Sequence, residues 1–169
     1  MKLTNIVILL LFVINCKAQT NNLDTIRKEY LETIQSEASI IQLINTCKKY
    51  KNERNSTISA YKTVAELMLI EYDYNPLTKL KSFTKHTKKL DFIVKNNITS
   101  IEIRFLRFCI QKQTPRFLGY NDNLELDYKF IIKNIDNQPK ELQEYINTVL
   151  KNLNDIRSHI SKRKNSTLE

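Results

Sequence analysis

Apolar residues recur every third or fourth position along most of this chain, the period of a helix with one buried face. Leu23, Ile26, Tyr30 and Ile34 form one stripe, and Ile40, Ile41, Ile44 and Cys47 continue it after a break near Ser36. The polar segment KNERNS (51–56) predicts a loop, with Asn55 or Ser56 placed to cap the third helix. That helix carries Ile58, Tyr61, Val64, Ala65, Met68 and Leu69 and ends around Asp73. Pro76 suits the first turn of a fourth helix, because the N–H it lacks would have no intrahelical partner there. Leu80, Phe83, Thr87, Leu90 and Val94 mark its buried face, to about Asn96.

A fifth helix is expected from Thr99 or Ser100 to Gln113. Ser100, Arg104, Arg107 and Gln111 lie on one narrow polar edge, and Ile101, Ile103, Phe105, Leu106, Phe108, Cys109 and Ile110 surround it. So thin a polar stripe predicts a central helix, packed by neighbours on most sides. The alternation from Ile101 to Phe105 would also suit a strand, but it breaks at Leu106 and helix is preferred. A sixth helix runs from about Asn123 to Asn134, and a seventh carries Leu142, Tyr145, Ile146, Val149, Leu150 and Leu153. The expected fold is all-α, about seven helices in antiparallel hairpins or an irregular helical bundle.

The connector PRFLGYND (115–122) holds the chain's one glycine. Pro115 disfavours helix at Thr114, and Gly119 offers positive φ where the path reverses. Asp122 and Glu125 fit a capping box for the sixth helix. Phe117, Leu118 and Tyr120 are expected to fold back onto the core. FIVKNNI (92–98) recurs as FIIKNID (130–136), in each case an apolar helix end meeting a short Asn-containing loop. Tandem helical hairpins give such a period, since one hairpin cannot bury its apolar face alone.

The first residues change the compartment. Lys2, the apolar run Ile6 to Ile14, and small residues at Cys16 and Ala18 have the parts of an export signal, with a cut after Ala18. The run is too short to span a bilayer, which takes roughly 20 residues, and no second run in the chain is long enough. Cys16 also fits the lipidated cysteine of a bacterial lipoprotein, although Asn15 stands where such signals carry a small residue; soluble export is favoured. Cutting after Ala18 removes Lys2 and Lys17 and no acid, lowering the net charge from +9 to +7. A single domain over 19–157 is expected, followed by a polar, basic tail at 158–169 that is expected to be disordered.

Cys47 and Cys109 both sit on apolar helix faces, so two buried thiols compete with a disulfide. With His86 and His159 scattered, no metal site is expected, and no cofactor motif occurs: no His-Glu-x-x-His, no Gly-x-Ser-x-Gly, no multi-glycine phosphate loop. Two charge features remain. In the fourth helix Lys81, Lys85 and Lys88 share one side, opposite Leu80, Phe83 and Leu90, with Asp91 the one acid near them. Such a face attracts an acidic glycan, lipid headgroups or an acidic partner, or is simply the solvated side of a lysine-rich protein. Arg104 and Arg107, three apart, can clamp a carboxylate or phosphate or pair internally with Glu66, Glu71 or Asp127. Any site there would have Tyr120 and Asn121 at its rim. An exported chain without a nucleic-acid motif is not expected to bind nucleic acid.

AYKTVAELMLIEYDYNPLTKLKSF, SIEIRFLRFCIQKQTPRFLGYNDNLELD and the Cys-Lys-Ala-Gln signal end resemble an uncharacterised family of exported all-helical proteins from Bacteroidota, over about residues 23–153. The hairpin at 60–97 is also similar to a degenerate tetratricopeptide unit, departing from it at the first-helix glycine and the closing proline. The resemblance implies no activity and carries no catalytic residue. The favoured expectation is a non-catalytic binding or scaffolding module of the periplasm or cell envelope. The alternatives are an inhibitor or immunity-type protein that binds an acidic partner, and an enzyme with a site near Arg104 and Arg107.

Overall fold

The computed structural model describes residues 22–33, 36–50 and 55–153 in full, and of 154–166 the backbone only. The expected export signal with Cys16, most of the KNERNS loop and the side chains of the basic tail lie outside the described residues. Among those described the fold is all-α, with seven helices and no strand: α1 (22–32), α2 (Glu37–Lys49), α3 (Ser56–Leu69), α4 (Pro76–Lys95), α5 (Ile101–Gln113), α6 (Leu124–Asn134) and α7 (Lys140–Ser166). The helical bounds of α7 pass Arg157, where the sequence suggests the domain ends. Among the described residues no helix is long and apolar enough to cross a membrane. The chain divides into two compact units, Met1–Ser82 and Phe83–Glu169, with the boundary inside α4.

In the first unit α2 and α3 pack as a hairpin. Each starts on a polar cap that satisfies backbone N–H groups the helix cannot. Ser36 Oγ accepts from Ser39 N, and Asn55 Oδ1 accepts from Thr57 N and Ile58 N. The apolar stripes close over Ile26, Leu43, Tyr61, Val64 and Ala65, all fully buried. Tyr30 of α1 meets Tyr61 of α3 edge to face at 5.6 Å. Glu29 Oε1 ties α1 to α2 by accepting from Gln42 Nε2 and Thr46 Oγ1. Thr33 and Thr63 lie in this core at no polar cost, because each hydroxyl donates to a carbonyl three or four residues back.

In the second unit α5 is buried nearly all round, as its thin polar edge predicts; Phe105, Leu106 and Cys109 are fully enclosed. Ser100 caps it by accepting from Ile103 N. It packs against α6 and α7, and Phe105 meets Tyr145 edge to face at 6.2 Å. Burying two side chains as large as Phe105 and Leu106 contributes about 1.5–3 kcal/mol each before entropy is counted. The two related segments also end alike: Asn96 Nδ2 donates to Phe92 O, and Asn134 Nδ2 to Phe130 O, drawing each helix end closed.

Several expectations need correction. Asp122 and Glu125 form no capping box. α6 begins at Asn123 without a side-chain cap, and backbone bonds from Leu124 N to Asn121 O and from Asp127 N to Asn123 O close its first turn instead. Glu125 pairs with Lys129 one turn on, in solvent. Leu80 is 53% exposed although it shares the periodicity of the buried face of α4, and Ile41 is also exposed. Phe117 does not fold back onto the core; it is 87% exposed. Gly119 does adopt the left-handed conformation, φ 63°, after a short 3-10 turn at Arg116–Leu118.

Candidate functional site

The polar edge of α5 is built from residues at spacings of four, three and four, so Ser100, Arg104, Arg107 and Gln111 form one line along the helix. α6 presents Asp127 to that line, with its side chain completely buried. Arg107 grips it with two parallel bonds, Nε to Oδ2 at 2.7 Å and Nη2 to Oδ1 at 3.0 Å. Arg104 Nε adds a third bond to Oδ1 at 2.8 Å, and its Nη2 donates to Leu126 O at 3.1 Å. The Arg104 guanidinium also lies 3.9 Å from the centre of the Phe130 ring, where the face of the aromatic is negative. One carboxylate thus holds two arginines by charge-assisted, directional bonds.

The network continues to α4 and to the glycine connector. Arg107 Nη1 donates to Asp91 Oδ1 at 3.2 Å, and Tyr120 OH donates to the same oxygen at 3.0 Å. Tyr120 is braced by Phe83, edge to face at 5.9 Å. Two guanidinium and two carboxylate groups balance, so this interior cluster carries no net charge. Burial pushes the Arg107 pKa down, but the hydrogen bonds and charge of Asp127, then of Asp91, outweigh it and leave the pKa raised. Tyr120 is held protonated well above its usual range, first by burial and then by the charge of Asp91 and the bond it donates to it. Gln111, next along the edge, is buried too, and its Oε1 has no hydrogen-bond partner among the described residues.

Of the residues the sequence singles out, Arg104, Arg107 and Tyr120 come together here. Their donors are committed to Asp127, Asp91 and a backbone carbonyl, the internal pairing foreseen with Asp127 and not with Glu66 or Glu71. Asn121 is exposed, and its backbone carbonyl serves only the first turn of α6. Asp91 and Phe130 escape a sequence reading. Asp91 reads as the lone acid of a lysine helix, and its spacing suits Lys88 or Lys95, three residues before it and four after. Only the fold reveals that it turns to Arg107.

Lys81, Lys85, Lys88 and Lys95 are all exposed on α4, with no acid against them among the described residues. Lys79 instead donates to Glu71 O at 2.8 Å. In the second unit Lys85, Lys88, Phe92 and Lys95 follow at steps of three, four and three, a straight line along one helix face. Thr87, Leu90, Ile93 and Val94 are the buried side of the same helix.

In the first unit a shallow depression, open to solvent, follows Ala38, Ile41, Gln42, Asn45, Thr46 and Lys49 along α2. Cys47 and Cys109 are buried and not disulfide-bonded. Burial, helped by the charge of Glu29, pushes the Cys47 thiol up to about 12. A thiol held protonated in a core is not a nucleophile at neutral pH. Among the described residues no group of three His, Cys, Asp or Glu side chains could hold a metal ion. No protein family, curated protein or solved structure matches this chain.

Proposed function

We propose that this chain is a non-catalytic binding module of the bacterial periplasm or cell envelope, and that the lysine face of α4 is its contact surface. One contrast carries the reading: the arginines suited to clamp a ligand are bound to internal acids, while Lys81, Lys85, Lys88 and Lys95 of α4 face solvent with no acid opposite them among the described residues. An uncompensated row of cations is a field for an anionic partner. Export, supported by the first eighteen residues, makes that partner a component of the envelope and not a nucleic acid.

The test is salt-dependent retention on immobilised heparin, with poly-glutamate as a competing soluble polyanion. The native chain should be retained at low salt and released as ionic strength shortens the reach of its charges to about 10 Å at 0.1 M. Reversing two charges, K85E with K88E, should abolish retention without changing the circular-dichroism spectrum. Equal retention of the native and reversed chains would refute the reading.

A further inference from the structure

Phe92 stands in the middle of the lysine row and is 68% exposed. Its counterpart in the related segment, Phe130, is covered by the guanidinium of Arg104, but Phe92 has no ring or cation partner among the described residues. A large apolar ring standing between three unpaired ammonium groups puts an apolar anchor and a positive field on one exposed helix face.

We infer that this face docks onto the surface of an anionic lipid bilayer, Lys85, Lys88 and Lys95 lying over the headgroups while Phe92 enters the acyl boundary. The inference rests on the proposed binding face and names its partner. Three observations favour lipid over an acidic protein. The row is a straight line of about 15 Å on one helix, at 1.5 Å per residue from Lys85 to Lys95, the shape that lies flat on an interface. Its cations are lysines, hydrated point charges on apolar stems that can reach headgroups while the stem follows the lipid, whereas recognition of discrete carboxylates favours the arginine fork. The chain has turned its forks, Arg104 and Arg107, inward. An aromatic at the centre of the row supplies an apolar anchor for the acyl boundary, with the cations around it left at headgroup level. Each lysine near an anionic surface strengthens binding about fivefold, so the three together account for about a hundredfold.

The chain contains no tryptophan, so Phe92→Trp places a single indole at the proposed contact. The full chain carrying F92W is titrated with vesicles of phosphatidylcholine alone and of phosphatidylcholine mixed with equal phosphatidylglycerol. The expected result is a blue shift of indole emission on the mixed vesicles and none on the neutral ones. Adding K85Q, K88Q and K95Q should raise the lipid needed about a hundredfold. Because the emission reports from α4, binding through the apolar start of the chain leaves it unmoved. Unmoved emission on anionic vesicles from a chain that still binds heparin overturns the lipid assignment and leaves the binding face standing. Failure on both vesicles and heparin overturns both. An equal shift on neutral vesicles overturns the charge-led docking.

Discussion

Replacing Asp127 by asparagine tests whether the interior charges brace the second unit. The carboxylate accepts three bonds from two guanidinium groups, and none of its surface is exposed. Hydrogen bonds to charged groups contribute about 1.5–3 kcal/mol each, but the three cannot simply be added. Arg107 keeps Asp91, Arg104 keeps Leu126 O and the Phe130 ring, and the asparagine oxygen still accepts one bond. Breaking a buried pair by removing one partner costs about 3–5 kcal/mol, and the surviving contacts set D127N near the lower end of that range. With a urea slope of about 1–3 kcal/mol/M, the unfolding midpoint followed by circular dichroism should fall by at least about 1 M. R107A should follow closely. R104A should cost less, about 1–2 kcal/mol, because it leaves the two-bond Arg107–Asp127 fork intact. The D127N/R107A double variant should cost less than the sum of its parts by about 1–3 kcal/mol. A D127N midpoint within about 0.3 M of the native one would refute the bracing argument.

Two further outcomes follow from groups outside that pair. Cys47 is raised from 9.0 to about 12, so its contribution is complete below pH 9 and is lost as pH rises from 9 to 12, by up to about 4 kcal/mol. Tyr120 acts in the same direction above its ordinary value near 10. Urea midpoints should therefore fall steeply at alkaline pH, with a shallower fall in C47A or Y120F; identical pH profiles in the three proteins would refute the assignment. Gly119→Ala meets no atom within 4 Å of the added carbon, so its cost is backbone strain alone, about 1–2 kcal/mol. It should lower the thermal midpoint by a few degrees, and a G119A chain melting above the native one would contradict the left-handed turn.

Local chemistry was readable where a residue acts on its own helix. Asn55, Ser100, Pro76 and Gly119 each do what their type and position suggest, and the narrow polar edge of α5 marked it as the enclosed helix. The pairing of Arg104 and Arg107 with Asp127 was among the internal choices foreseen, but readings failed at the start of α6 and at several positions decided by what a helix face meets. Asp122 and Glu125 have the spacing of a capping box, yet backbone turns close α6 without them. Leu80 keeps the rhythm of the buried face but lies beyond the stretch of α4 whose side chains are buried, which starts at Thr87. Asp91 was legible as an acid among lysines and not as an acceptor for Arg107, sixteen residues on, because periodicity states which face a residue occupies and not what that face meets. The same limit hid Phe130, which covers Arg104 from the next helix.

The two charge systems are coupled through Asp91, and the coupling has a measurable sign. On an isolated helix Asp91 would pair with Lys95 four residues later, the favourable order for such a pair, or with Lys88. Arg107 and Tyr120 hold its Oδ1 instead, so an interior network keeps the one acid of α4 away from the lysine row. Arg107 is about 90% buried and is no part of the lysine row, yet R107A should weaken heparin retention, because the released carboxylate then neutralises part of the row. An exposed pair of this kind is worth about 0.3–0.5 kcal/mol, which sets the expected loss at about twofold in affinity, measured well below the thermal transition. Removing the acid as well, R107A with D91N, should restore retention while leaving the fold as destabilised as before or more so. Loss of binding that D91N does not rescue would assign the effect to unfolding. Unchanged retention in R107A would mean that the field over α4 is set by its lysines alone.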